Sequence, residues 1–386
     1  MTSRESATSR PTVVLTLGRL PVGLDIARSL AREGWRVVVA EPWGMHLCRM
    51  SNAVHRSVRV PRPDREPERF LEQLADVILR ERAELVVPVS EESPRIAMLR
   101  RRLPESVSIY ADSADNMLAL HDKYRFAACA SNAGLTVAGS HLPADLPAEA
   151  PFDAVVKPRF SCSGRGVRRV SAGEPLGADS GDVIQRRVRG AELSGFCMSR
   201  NGDIAAPVVY RSAVSSGSVG VCFERVTDAP GIVDWMRRFA ASRGHTGFLA
   251  FDFIVDDAGT ACAIECNPRA TSGIHFVRQD ALSALLRGHS FETNPLREDR
   301  LLTESWSCFT ACLARVGRPS AFRHALGLLH RASDVTWSRH DPLPFMLMPV
   351  NSYRIIRDAL VTGATFAEVA VRDVEWRGTT EPMEDA

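Results

Sequence analysis

The stretch Phe248–Arg269, FLAFDFIVDDAGTACAIECNPR, decides how this chain is read. Asp256-Asp257-Ala258-Gly259 are residues that make tight turns, and the apolar runs on either side have strand character. The stretch therefore predicts a β-hairpin. Side chains alternate faces along a strand, so Glu265 and Asn267 share one side of the second strand. A turn with an even number of residues would bring Asp252 to that same side. Unpaired carboxylates are costly in strands that are otherwise apolar. Two carboxylates and an amide oxygen on one patch are hard-oxygen ligands suited to Mg²⁺, an ion that also carries nucleotide phosphates. Arg269 follows directly as a fixed cation. A surface hairpin with scattered charge is the plainer alternative, and the apolar setting of the acids argues against it.

The rest of the sequence narrows the class. A chain of 386 residues suits two or three domains, and a formal charge of +2 leaves no electrostatic footprint for nucleic acid. Arg100-Arg101-Arg102 is too short a basic run to change that. The nine cysteines form no CxxC pair, which fits a reducing, cytoplasmic setting. Cys262 and Cys266 are expected on the strand face opposite Glu265, and Cys308 and Cys312 in core packing. The polar start, residues 1–11, predicts a disordered tail without a secretory signal. No apolar run is long enough to span a membrane.

From Thr12 the pattern runs strand, turn, helix, strand, with Gly34 as the helix stop. Pro67–Arg82 reads as a helix, and ELVVPVS and VSIYA as further strands. Residues 12–112 therefore predict a parallel-sheet, Rossmann-like domain. Gly18-x4-Gly23 is not a dinucleotide fingerprint, and a tight βα turn with close backbone packing is favoured. A helix follows at HDKYRFAACASNAGL, then the strand DAVVKP and the small-residue loop Phe160–Val167, whose amides could cradle phosphates. Asn201-Gly202 marks a hairpin turn, and the Ser/Gly-rich Arg211–Arg225 reads as a loop closing over a site. Beyond about residue 290 the chain is mainly helical, with Trp306 and Trp337 expected in its core and a short strand-like segment near the end.

Taken together, Asp122-Lys123, VVKP at 155–158, the SCSGRGV loop, Gln185 with Gly190-Ala191-Glu192, and Asp252 with Glu265-Cys266-Asn267-Pro268-Arg269 resemble the ATP-grasp superfamily. The resemblance spans roughly residues 113–285. It implies an α/β ATP-grasp domain at 113–289, with a lid at about 140–188, between the N-terminal 12–112 domain and a 290–386 extension. It also implies ATP with Mg²⁺ (or Mn²⁺), two ions held by Asp252, Glu265 and Asn267. Lys157 and Lys123 would face the phosphates, and Ser163, Gly164 and Gly166 would close over them. Gln185, Arg186 and Val188 match the adenine hinge, although the family often has Gln-Glu where this chain has Gln185-Arg186, and Glu192 matches the ribose acid. Arg269 and Lys157 would be catalytic, with Arg269 holding the acceptor carboxylate; the structural alternative for Arg269 is an ion pair with Glu265.

The expected reaction is ATP-dependent ligation of a small carboxylate to an amine through an acyl phosphate, with a homodimer possible. Glu91, Arg211 and His275 are candidate substrate contacts. Capping of the following helix explains Ser90, Glu91 and Glu92 equally well. Competing readings are carboxy- or carbamoyl-phosphate chemistry, a non-catalytic nucleotide-binding regulator, and a nicotinamide oxidoreductase, which lacks its glycine fingerprint.

Overall fold

The computed structural model describes residues 10–161, 164–217, 219–363 and 366–376. The N-terminal unit alternates β1 (Thr12–Leu15), α1 (Pro21–Arg32), β2 (Arg36–Glu41), β3 (Arg56–Arg59), α2 (Pro67–Arg80), β4 (Leu85–Val87), α3 (Ser93–Met98) and β5 (Ser108–Ile109). Its five strands pair in the order β3-β2-β1-β4-β5, every pair parallel. The inner strands β1 and β4 and the middle of β2 are short apolar runs because helices cover both faces. β3 is the strand the sequence reading did not anticipate; RSVR carries no apolar run because it lies at the sheet edge. At Gly18 an added Cβ would fall 2.5 Å from the His46 ring, and at Gly23 2.8 Å from the Leu17 carbonyl. Both glycines thus serve close packing in the βα turn.

Two helices lead onward, α4 (Ala114–His121) and α5 (Lys123–Asn132). Asp122 separates them, its carboxylate capping α5 by accepting from the Tyr124 and Arg125 amides. A four-stranded antiparallel sheet follows, order β6-β9-β7-β8, from β6 (Ser140–His141), β7 (Ala154–Pro158), β8 (Arg168–Val170) and β9 (Asp182–Arg186).

The larger sheet holds β10 (Ala191–Arg200), β11 (Asp203–Ser216), β12 (Val219–Val226), β13 (Gly247–Val255) and β14 (Ala261–Asn267), with α6 (Pro230–Arg243) between β12 and β13. Asn201 and Gly202, at φ of 51° and 90°, make the two-residue β10–β11 turn. Arg211–Arg225 is not a loop. It is a β11–β12 ladder pairing Arg211 with Glu224 and Ser216 with Val219, bent by two register shifts. Its small residues suggest a loop by composition, but the cross-strand hydrogen bonds override propensity.

After α7 (Gln279–Leu286) the extension rejoins this sheet through β15 (Leu301–Thr303) and β16 (Ser333–Asp334), giving the order β14-β13-β10-β11-β12-β15-β16. Helices α8 (Ser305–Leu313), α9 (Pro319–Arg331), α10 (Leu343–Met346), α11 (Met348–Thr362) and α12 (Phe366–Val371) complete it. The expected final strand is thus helix α12. Cys308 and Cys312 are buried beside Cys222 in one apolar cluster. Trp337 is half exposed, with its ring set edge-on to Phe345, so it is not a core residue. No helix among the described residues is long and apolar enough to cross a membrane.

One face of the large sheet is sealed by α5 and α6 over Phe251, Phe253, Ala263 and Cys266. The other face meets the N-terminal unit near Phe248 and Ala250 and opens into a cleft toward β7 and β9.

Candidate active site

The hairpin that opened the sequence reading forms the floor of that cleft. Its turn, residues 256–260, is odd in length, which by itself would set Asp252 opposite Ile264 and turn Glu265 to the buried face. A β-bulge at Ile264 corrects the parity. Asp252 pairs directly with Glu265, and Asn267 pairs with Ala250 on the same side. Cys262, before the bulge, lies opposite Ile254 on the Asp252 side of the sheet and so shares a face with Glu265, while Cys266 stays in the apolar core as expected.

The bulge has a second consequence. The Ile264 carbonyl accepts from Lys157 Nζ at 3.1 Å and from the Gln185 amide at 3.2 Å, so one backbone oxygen positions groups from β7 and β9 over the hairpin. Gln185 also donates to Ser140 at 3.1 Å. Lys157 is 4% exposed. Burial, reinforced by the charge of Lys123, draws its ammonium down to about 8 against the pull of Glu265 and Asp252. Asp252 is pushed up to about 6 by burial and by the Glu265 charge, with Ser194 donating to it at 2.8 Å. A pair of acids with one member raised in this way carries negative charge that a bound cation would relieve. Asp252 and Glu265 therefore fit a divalent ion. Asn267 turns its amide nitrogen toward Asp252 (3.4 Å) and its oxygen to Arg269 (3.2 Å), so it would have to rotate to present an oxygen ligand.

Arg269 does not pair with Glu265. Its guanidinium lies 2.7 Å from Glu91, which comes from the N-terminal unit and is 2% exposed. Burial opposes ionisation of Glu91, yet Arg269, with His121 and Lys123 beyond it, holds its carboxyl below the ordinary range. The neighbouring Glu92 turns inward, accepting from Thr16 and from the backbone amides of Val89 and Ser90. Ser90 makes no side-chain cap on α3.

Lys123 is buried beneath the cleft, donating to the Ser161 carbonyl at 2.6 Å and lying 3.4 Å from Glu265. Gly164 lines the cleft; Gly164 and Gly166 have φ of 69° and 71°, the left-handed conformation that glycine tolerates. Ser163 lies outside the described residues. Arg186 is exposed and stacks on Phe152, 4.2 Å from the ring centre. Val188 and Glu192 line the cleft. Arg211 lies on its wall, paired with Glu224 at 2.7 Å. His275 does not line it. It is fully buried, with Nδ1 2.6 Å from Asp25 of α1, and ties the two units together.

Ser194 and Ile264 were not singled out by the sequence reading. Strand alternation from Glu192 points to Ser194, whereas nothing local announces the bulge at Ile264.

Residues 120–273 match the ATP-grasp domain family. The chain carries an ATP-grasp domain. The matched span holds Lys123, Lys157, Glu192, Asp252, Glu265 and Arg269, and leaves the N-terminal sheet and the extension outside it. Solved structures share the fold over more of the chain. N5-carboxyaminoimidazole synthetase from Staphylococcus aureus has a TM-score of 0.59 at 17% identity, covering 75% of this chain and 80% of its own. L-amino acid ligase from Bacillus licheniformis has a TM-score of 0.58 at 18% identity, covering 76% and 78%. Biotin carboxylase from Campylobacter jejuni, solved with a β-γ-ATP complex, has a TM-score of 0.59 at 11% identity, covering 75% and 74%. No curated protein matches the chain. The ATP-grasp domain and its parallel-sheet partner thus form one cleft, with the extension closing its far end.

Proposed function

We propose that this protein is an ATP-dependent ligase that joins a carboxylate to an amine with release of ADP and phosphate. The observation that carries this reading is the convergence on one cleft of the Asp252–Glu265 pair, the buried Lys157 and the Glu91–Arg269 bridge.

In this reading Val155, Ile254 and Ile264 supply apolar walls for the adenine ring, beside backbone groups of Gln185–Val188. Glu192 would accept from the ribose hydroxyls. Lys157 would face the phosphates as a point charge. Mg²⁺ held by Asp252 and Glu265, with Asn267 rotated, would neutralise charge on the terminal phosphates. Arg269, oriented by Glu91, would hold the acceptor carboxylate beside the γ-phosphate.

An oxygen of that carboxylate attacks the γ-phosphorus, the bond to the β–γ bridging oxygen breaks, and ADP leaves. The amine then attacks the carbonyl carbon of the acyl phosphate. Arg269 stabilises the tetrahedral oxyanion, inorganic phosphate departs, and the amine loses a proton.

The test is ADP release measured against a panel of acids and amines, followed by hydroxylamine trapping of the activated acid. A hydroxamate formed with ADP supports the proposal. AMP and pyrophosphate as products would replace it with adenylation, and ATP turnover independent of any acid would replace it with a simple ATPase.

A further inference from the structure

The cleft is larger than the nucleotide end requires. Its volume is about 1400 Å³, against roughly 300–1,000 Å³ for a cleft that holds one drug-sized ligand. It continues past Arg269 into a chamber whose far wall is one face of α11. Met348, Asn351, Ile355, Ile356, Ala359 and Leu360 line it at helical spacing. Leu20 and Trp43 of the N-terminal unit and Trp306 of α8 also line it.

This wall is mostly apolar: its Trp43 and Ile355 end is packed with Val369 and Ala370, whereas its outer end stays uncovered. Leu360 is 80% exposed, and Met45 at the rim is 51% exposed. Uncovered apolar surface lining a cavity marks a binding site more often than it serves folding. The charged groups at this end are already engaged: Arg19 with Glu41 and Asp373, and Glu304 with Ser307. The Trp306 indole N–H and both polar atoms of the Asn351 amide are buried with no hydrogen-bond partner among the described residues. Groups left in that state are costly, and a ligand that turns them toward itself would recover part of the cost.

The chamber adjoins the reacting end. Arg269, Ala270 and Thr271 line the same cavity as Met348, the first residue of α11. An acid whose carboxylate is held at Arg269 therefore has the α11 wall in the cavity that receives the rest of its molecule.

We infer that the acid substrate carries an extended apolar body, seated between α11, α8 and the Trp43 edge of the N-terminal unit. This rests on the ligase reading for the carboxylate end and goes beyond it in naming the substrate class. The chamber also explains why the extension rejoins the sheet through β15 and β16: that pairing anchors α8 at the cleft.

The test is calorimetric binding of straight-chain monocarboxylates, butanoate through decanoate, to the full chain without nucleotide, with Mg-ATP binding measured separately. Affinity should rise about fourfold per methylene, the fold-change of about 0.8 kcal/mol per buried CH₂. Ala359→Trp, which fills the chamber, should flatten the series while leaving Mg-ATP binding unchanged. Leu360→Asp should weaken the longest acids, and at an exposed position it costs no core packing. Affinity that is flat with chain length, or that climbs equally in Ala359→Trp, overturns the inference. Absent Mg-ATP binding with a steep chain-length series would instead overturn the ligase reading and leave the chamber standing.

Discussion

Replacing Lys157 by methionine separates the cost of its buried ammonium from its use. The side chain lies in a nearly closed setting, with the Ile264 carbonyl accepting at 3.1 Å. Burial first, and Lys123 second, lower its pKa from 10.5 to about 8, while Glu265 and Asp252 resist. That gap corresponds to about 3 kcal/mol of unfavourable charging in the folded state. The unfolded chain keeps the proton up to 10.5 and the folded chain only to about 8. Between those values the unfolded state binds more protons, so stability rises with pH across the window and is least, from this group, below it. Lys157→Met should therefore melt higher than the wild type at neutral pH, by up to about 3 kcal/mol, with the advantage fading toward the upper end of the window.

Function should move the other way. Polyphosphate beside Lys157 would restore its ammonium, so Mg-ATP binding at about pH 8.5 should take up roughly half a proton or more. Titration calorimetry in two buffers of different ionisation enthalpy reads that uptake, and Lys157→Met should lose it along with most of the affinity. A variant less stable than wild type at neutral pH would refute the burial argument. Binding heat independent of buffer would refute the placement of the phosphates.

Glu265→Gln should fold normally by thermal melt yet lose ADP formation by about a hundredfold or more, because a carboxylate facing the metal becomes neutral. Asp252, raised from 3.8 to about 6 by burial and Glu265, favours folding most when protonated; that contribution is lost as pH rises through about 6. Asp252→Asn should therefore stabilise the metal-free protein at neutral pH, and Mg²⁺ affinity of the wild type should fall as pH drops through about 6, both read by melts with and without the ion. Asp373 lies 2.6 Å from Arg19 and accepts from the Trp43 indole at 2.8 Å, all buried. Asp373→Ala should cost about 1–3 kcal/mol, measured by denaturant unfolding, because it leaves the buried Trp43 indole N–H without its acceptor and Arg19 with Glu41 as its remaining carboxylate.

Much of this was legible along the chain. Apolar runs and glycine stops placed the parallel sheet, and the turn residues Asn201-Gly202 and Asp256–Gly259 placed both hairpins of the large sheet. Asp252 and Glu265 stood out because they interrupt apolar strands, where an ionised group needs a reason to be tolerated, and Lys157 came with the family resemblance. Periodicity and turn chemistry are local, so a sequence determines them by itself.

The tertiary structure decided what local rules do not reach. The bulge at Ile264, and not the length of the turn, put Glu265 opposite Asp252 and so onto the face that Cys262 already occupied. Glu91 became the partner of Arg269, and His275 the buried partner of Asp25, because separate units pack against each other. Arg211–Arg225 became strands, since a ladder of cross-strand hydrogen bonds outweighs the loop propensity of serine and glycine. The extension became one wall of the cleft only once β15 and β16 joined the sheet. Each of these depends on which surfaces meet, and the free energy that selects them is shared between segments far apart in the chain.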